Sequence, residues 1–128
     1  MSIKIETAGE MMSHPPFCLT GSTQIGEAAH TLVTKHIHGA PVLDDDGALI
    51  GIISESDLLA VVASAAFHSL PAGNVADHMT RDPVTIDAKD DIYEVTRLFR
   101  EGHASRLPVM QSGRGIGIIT RRNLLLAL

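Results

Sequence analysis

The chain carries one message twice. Gly51-Ile52-Ile53-Ser54-Glu55-Ser56-Asp57-Leu58-Leu59 returns near the C-terminus as Gly117-Ile118-Ile119-Thr120-Arg121-Arg122-Asn123-Leu124-Leu125. Met12-Ser13-His14-Pro15-Pro16 returns as Met79-Thr80-Arg81-Asp82-Pro83, and Ala40-Pro41-Val42 as Leu107-Pro108-Val109. The offset is 67 for Met12 against Met79 and for Pro41 against Pro108, until one residue is lost in the turn before Gly113. Self-similarity at a fixed period marks a repeat architecture. Here it fills almost the whole chain, so equivalent sites are expected around a pseudo-twofold axis.

Each repeat has the same internal grammar. Phe17-Cys18-Leu19 and Val84-Thr85-Ile86 are β-prone segments following a proline. Ile25, Ala28, Ala29, Leu32 and Val33 then fall at helical spacing, as do Ile92, Val95, Leu98 and Phe99. Asp90 and Asp91 suit the positive end of the second helix, and Gly102 suits its stop. Strands through Pro41-Val42-Leu43 and Pro108-Val109-Met110 follow. The turns Asp44-Asp45-Asp46-Gly47 and Gln111-Ser112-Gly113 lead into second strands ending near Ile53 and Ile119, which predicts a hairpin in each repeat. A helix begins at once near Ser54 and Thr120. The expected fold class is α/β, of the α+β kind. Two pseudo-twofold-related β-α-β-β-α repeats form one compact module, over 7–67 and 74–128, with a linker over 68–73.

Composition narrows the function classes. At 45% apolar residues and 128 in length, the chain buries roughly two-thirds of its unfolded surface. Three Phe, one Tyr and no Trp leave the core to Ile, Leu, Val and Ala. A net charge of −5 argues against general nucleic-acid binding, which needs a basic footprint. No apolar run reaches the roughly 20 residues of a membrane span, and the N-terminus lacks a signal-peptide core. A cytoplasmic protein is expected. One cysteine, Cys18, rules out an internal disulfide.

The closing helices of the repeats, over 58–67 and 124–128, have almost no polar face. A helix hydrophobic all round is buried on more than one side. One reading pairs the two helices across the pseudo-twofold within the chain. The preferred reading is a homodimer interface, since apolar patches of this size mark contacts.

The strand-to-helix junctions carry the chemistry. Ser54 and Asp57 fit a capping box, which on its own only starts a helix. The junction nevertheless occurs twice after Gly-Ile-Ile, and glycine permits close approach by another group. Free helix N–H groups with a hydroxyl suit phosphate, and a carboxylate one turn on suits a ribose diol. Together they point to a nucleotide.

This ordered double set, Met-Ser/Thr with a following proline, Pro-Val, and Gly-Ile-Ile-Ser/Thr-x-x-Asp/Asn-Leu, resembles a tandem pair of CBS (cystathionine β-synthase) domains, a Bateman module. The resemblance spans residues 7–128. It implies the β-α-β-β-α unit and binding of an adenosyl ligand: AMP, ADP or ATP, with S-adenosylmethionine or NAD as alternatives. It also implies flat disc-like dimers and regulation of a partner protein whose identity is open. Mapped onto this chain, the preferred first pocket joins Ile52, Ser54 and Asp57 with Thr80, Thr85, Ala104, Ser105 and a phosphate-contacting Arg106. The weaker second pocket joins Ile118, Thr120 and Asn123 with Ser13, Cys18, Ile37 and His38. It departs from the family twice: Asn123 replaces the ribose-binding aspartate, and Gly39 stands where Arg106 stands in the other repeat.

Other signals carry less. His36 and His38 close a helix, no cysteine or carboxylate partner shows metal-ligand spacing, and no metal or required cofactor is expected. His36 and His103 are repeat-equivalent, which points to helix capping or packing. Cys18 reads as a small apolar strand residue. There is no nucleophile with an evident base, and no P-loop, so no enzyme is expected. A binding module with a ligand-free structural or oligomerisation module as its rival is the functional expectation.

Overall fold

The computed structural model describes residues 5–14, 16–68, 73–102 and 104–128, the side chains of residues 65–68 excepted. The expectations for Pro15, His103, the side chain of Phe67 and most of the 68–73 linker lie outside them. One sheet runs in the order β1 (Leu19–Thr20), β2 (Gly39–Leu43), β3 (Leu49–Ser54), β4 (Thr80–Arg81). The other holds β5 (Ile86–Asp87), β6 (Arg106–Gln111) and β7 (Arg114–Thr120). Among the described residues six helices accompany them: α1 (Ala8–Met11), α2 (Ile25–Thr34), α3 (Glu55–His68), α4 (Val75–His78), α5 (Ile92–Arg100) and α6 (Arg121–Leu126). The mixed α+β class and the duplicated unit expected from the sequence are present. None of these helices is long and apolar enough to cross a membrane.

Local chemistry explains most boundaries. The Asp91 carboxylate accepts from the N–H groups of Tyr93 and Glu94 and starts α5. Gly102, at φ 75°, ends it, while α2 ends on His36 at φ 55°. There the Ile37 N–H donates to the Leu32 carbonyl at 3.0 Å and the His36 N–H to Val33 at 3.2 Å, closing a Schellman turn without glycine. The β6–β7 hairpin turns on Ser112 and Gly113, both left-handed, between the paired Gln111 and Arg114. The segments after Pro16 and Pro83 pair two residues later than expected. They meet their parallel neighbours only near the far ends of β2 and β6, at Leu19 opposite Val42 and Ile86 opposite Val109.

Each core is completed by the other repeat. Ala8, Met11 and Met12, which precede the first repeat's strands, pack with Ile86, Val95, Leu107 and Ile119 of the second. Val75 and Met79 pack with Leu32, Val42 and Ile53 of the first. The backbone exchange is reciprocal. Ala8 N–H donates to Asp90 and Gly9 N–H to Ala88, while the equivalents Val75 and Ala76 donate to Thr23 and Gly21. The one-turn helices α1 and α4 were not in the expected β-α-β-β-α unit. Their sequence signal is a capping box: Thr7 with Glu10, and Asn74 with Asp77.

The close approach that Gly51 and Gly117 allow is made by these exchanged segments. A Cβ on Gly51 would stand 2.6 Å from the Thr80 carbonyl oxygen and 2.7 Å from the Met79 sulfur; on Gly117 it would stand 2.9 Å from the Met12 sulfur. The protein's own chain therefore fills the space that the two glycines leave.

Among the described residues the closing helices make their main helix contacts elsewhere than with each other. Helix α3 packs on α2, and α6 on α5, each within its own repeat. Leu59 and Val62 on α3, and Leu125, Leu126 and Leu128 at the C-terminus, are left more than half exposed.

Candidate ligand-binding cleft

The end of β3 delivers Ser54 directly into α3. The Asp57 Oδ2 accepts from the Ser54 N–H at 2.9 Å and from its hydroxyl at 3.0 Å, and the Ser54 Oγ accepts from the Asp57 N–H at 3.3 Å. The capping box is real. It uses only one carboxylate oxygen, and Oδ1 has no hydrogen-bond partner among the described residues. Capping and ligand contact are therefore compatible in one residue.

Around this corner lies a cavity of about 330 Å³, lined by Ile52, Ser54, Asp57, Thr80, Asp82, Pro83, Val84, Ala104, Ser105 and Arg106. Seven of the eight residues expected in the first pocket line it; Thr85 does not, and is exposed. The wall between Thr80 and Thr85 is instead made by Asp82, Pro83 and Val84, which sequence reasoning missed. Asp82 takes a left-handed turn, φ 51°, and a lone aspartate before proline gives little warning of that in sequence. The cleft spans both repeats, because β4 pairs Thr80 with Ile52 of β3. Arg106 opens β6, opposite Thr120, and its Nε is buried without a hydrogen-bond partner among the described residues. A hydroxyl, a helix N-terminus, an uncommitted carboxylate oxygen and a guanidinium thus share one cavity.

In the equivalent corner of the second repeat the capping side chain is bonded across to the other repeat. The Asn123 Oδ1 accepts from the Thr120 N–H at 2.9 Å and from its hydroxyl at 3.1 Å, repeating the box. The amide nitrogen, which occupies the place of the free Asp57 oxygen, donates to the Ser13 hydroxyl at 3.3 Å. Ser13 N–H also donates to the Ile118 carbonyl at 3.4 Å. Ser13, Ile118, Thr120 and Asn123 therefore come together, and the other three expected members do not join this network. The Cys18 thiol donates to the Gly115 carbonyl at 3.5 Å and faces a separate cavity lined also by Met12, Phe17 and Lys89. Burial pushes that thiol's pKa up, which makes it a poor nucleophile. Ile37 packs against the first core, and the exposed His38 Nδ1 lies 3.1 Å from the Glu55 carboxylate. Among the described residues, no three His, Cys, Asp or Glu side chains gather as a metal site would require.

A family model described as the CBS domain matches residues 8–64 and again residues 75–128. The chain belongs to the CBS-domain family. This CBS pair shares 32% identity with CBSX2 of Arabidopsis thaliana in its crystal structure in complex with AMP, with a TM-score of 0.79 over 95% of each chain. It shares 26% identity with the CBS domain pair of MJ0100 in complex with 5′-methylthioadenosine and S-adenosyl-L-methionine, with a TM-score of 0.78 over 96% of this chain and 95% of that one. A CBS domain-containing protein of Dictyostelium discoideum is 33% identical over 125 residues, 91% of this chain and 86% of its own length. The CBS pair spans less of other curated relatives, 40% of an uncharacterized protein of Methanocaldococcus jannaschii.

Proposed function

We propose that this CBS pair binds an adenosyl ligand in the first cleft and reports its occupancy to a partner protein. The observation that carries the reading is the Asp57 carboxylate, which caps α3 with one oxygen and keeps the other available beside Ser54, Thr80 and Arg106. A ribose diol donates hydrogen bonds and finds a carboxylate acceptor there. A phosphate finds the α3 N-terminus and a guanidinium. Two carboxylates, Asp57 and Asp82, share the cleft with one guanidinium, so within the AMP, ADP and ATP class a single phosphate fits the local charge best. The crystallised relatives with AMP and with S-adenosyl-L-methionine support an adenosyl class. A thermal-shift screen of AMP, ADP, ATP, S-adenosylmethionine and NAD tests it, since a ligand bound only by the folded state raises the melting temperature. Stabilisation by AMP is the expected result. No response to any of the five would favour the structural-module reading, which the Ser13–Asn123 hydrogen bond already favours for the second cleft.

The reporting surface we propose is a homodimer formed through the helical face. A groove of about 720 Å³ between α5 and α6 is lined by Ile92, Leu124, Leu125 and Leu128 on its apolar side, with Arg97, Arg100 and Glu101 among its other lining residues. Leu126, at 72% exposure, continues the same helix. Light scattering at micromolar concentration should give twice the chain mass. Leu126→Glu should return it to the monomer, because the interface would bury an unpaired carboxylate. A wild-type monomer at that concentration would remove the dimer.

A further inference from the structure

We infer that Gly39 is the positioning residue that fixes the Arg106 guanidinium in the first cleft, and so sets that cleft's preference for phosphate-bearing ligands. The inference deepens the adenosyl reading and rests on it. Gly39 and Arg106 are repeat equivalents, the first residues of β2 and β6, facing Ser54 and Thr120 across their hairpins. They also meet in space. A Cβ on Gly39 would stand 3.2 Å from the Arg106 Cδ and 3.4 Å from its Nε. The arginine stem therefore lies against the bare α-carbon, and its Nε is buried there without a partner among the described residues.

That contact has two consequences. A long side chain held along its stem has lost most of its rotamer freedom before any ligand arrives, so its charge is already aimed. A side chain at position 39 would also compete for the same space, and an arginine there would add a second cation beside the first. The glycine makes the pair of clefts unequal: one has a preset guanidinium, and the other has no arginine at the equivalent position. Alanine at 39 would place its methyl in that tight contact and push the stem away. It would also stand 2.9 Å from the Ile53 carbonyl oxygen, so some loss of stability is built in. The informative quantity is thus a ratio of two affinities.

AMP and adenosine are titrated calorimetrically into wild type, Gly39→Ala, Arg106→Ala and the double variant. Wild type should prefer AMP. Gly39→Ala should lower the AMP-to-adenosine ratio by about tenfold, the scale of one hydrogen bond to a charged group, with adenosine affinity nearly kept. The double variant should match Arg106→Ala within about twofold, because both changes remove one interaction. An unchanged ratio in Gly39→Ala, or a further loss in the double variant, overturns the inference. Wild type binding adenosine and AMP equally overturns it while leaving the adenosyl reading intact; binding neither sinks both. One measurement needs no variant. In wild type the Arg106 Nε–H should give a slowly exchanging NMR resonance that moves with AMP and not with adenosine. Rapid exchange with water would show that the stem is not held.

Discussion

Asp57→Ala is expected to weaken AMP binding by about 1.5–3 kcal/mol, the range for a hydrogen bond to a charged group. The carboxylate does two jobs, so alanine removes both the free Oδ1 and the Oδ2 that caps α3. Loss of the cap alone should cost about 1 kcal/mol of stability. Asp57→Asn separates the two effects. The amide oxygen can keep the cap, as Asn123 does for Thr120, while its nitrogen faces Thr80 as Asn123 faces Ser13. The asparagine variant should therefore hold its melting temperature and still lose most of its AMP affinity. Asn123→Ala should change affinity little, because that amide is committed to Thr120 and Ser13. Calorimetric titration and thermal denaturation of the three variants read both effects. Full AMP affinity in Asp57→Asn would show that the uncommitted oxygen is not the acceptor.

Gly51→Ala should destabilise the fold by about 1–3 kcal/mol, the cost of overpacking a tight site, and should lie toward the upper end. Its methyl would stand 2.6 Å from the Thr80 carbonyl oxygen, a backbone atom tied into the β3–β4 ladder. That atom cannot move without shifting the strand that the second repeat lends to the first sheet. Gly26 supplies the contrast. It is exposed on α2, and beyond its own helix backbone and chain neighbours nothing lies within 4 Å of an added methyl. Gly26→Ala should therefore stabilise by up to about 1 kcal/mol. Urea denaturation of both variants gives the comparison. Equal stabilities would mean that the exchanged segment is not packed as tightly as its distances imply.

The two glycines also mark where sequence stops being informative. The repeat, the hairpins, the helix stop at Gly102 and the Ser54–Asp57 cap are readable because each depends on neighbours a few residues away. Which core a segment joins depends on residues far along the chain. Nothing between Thr7 and Met12 says that these residues pack with Ile119, although the Thr7–Glu10 box announces a helical turn. The same limit applies to the clefts. Asn123 for aspartate was visible as a weaker acceptor, but its bond to Ser13 was not. Cys18 sits at the repeat position of Thr85, yet its thiol turns to the Gly115 carbonyl, a contact 97 residues away in sequence. Arg106 and Gly39 could be compared as letters; only the fold brings one side chain onto the other's α-carbon.

One adenosyl ligand in the cleft at the Ser54 corner should be visible residue by residue in the amide NMR spectra of an AMP titration. Resonances of Ile52, Ser54, Asp57, Thr80, Ala104, Ser105 and Arg106 should move together and saturate, while those of Ser13, Ile118, Thr120 and Asn123 stay in place. Saturating shifts confined to the Ser13 and Asn123 corner would put the ligand in the other cleft and overturn the proposed site.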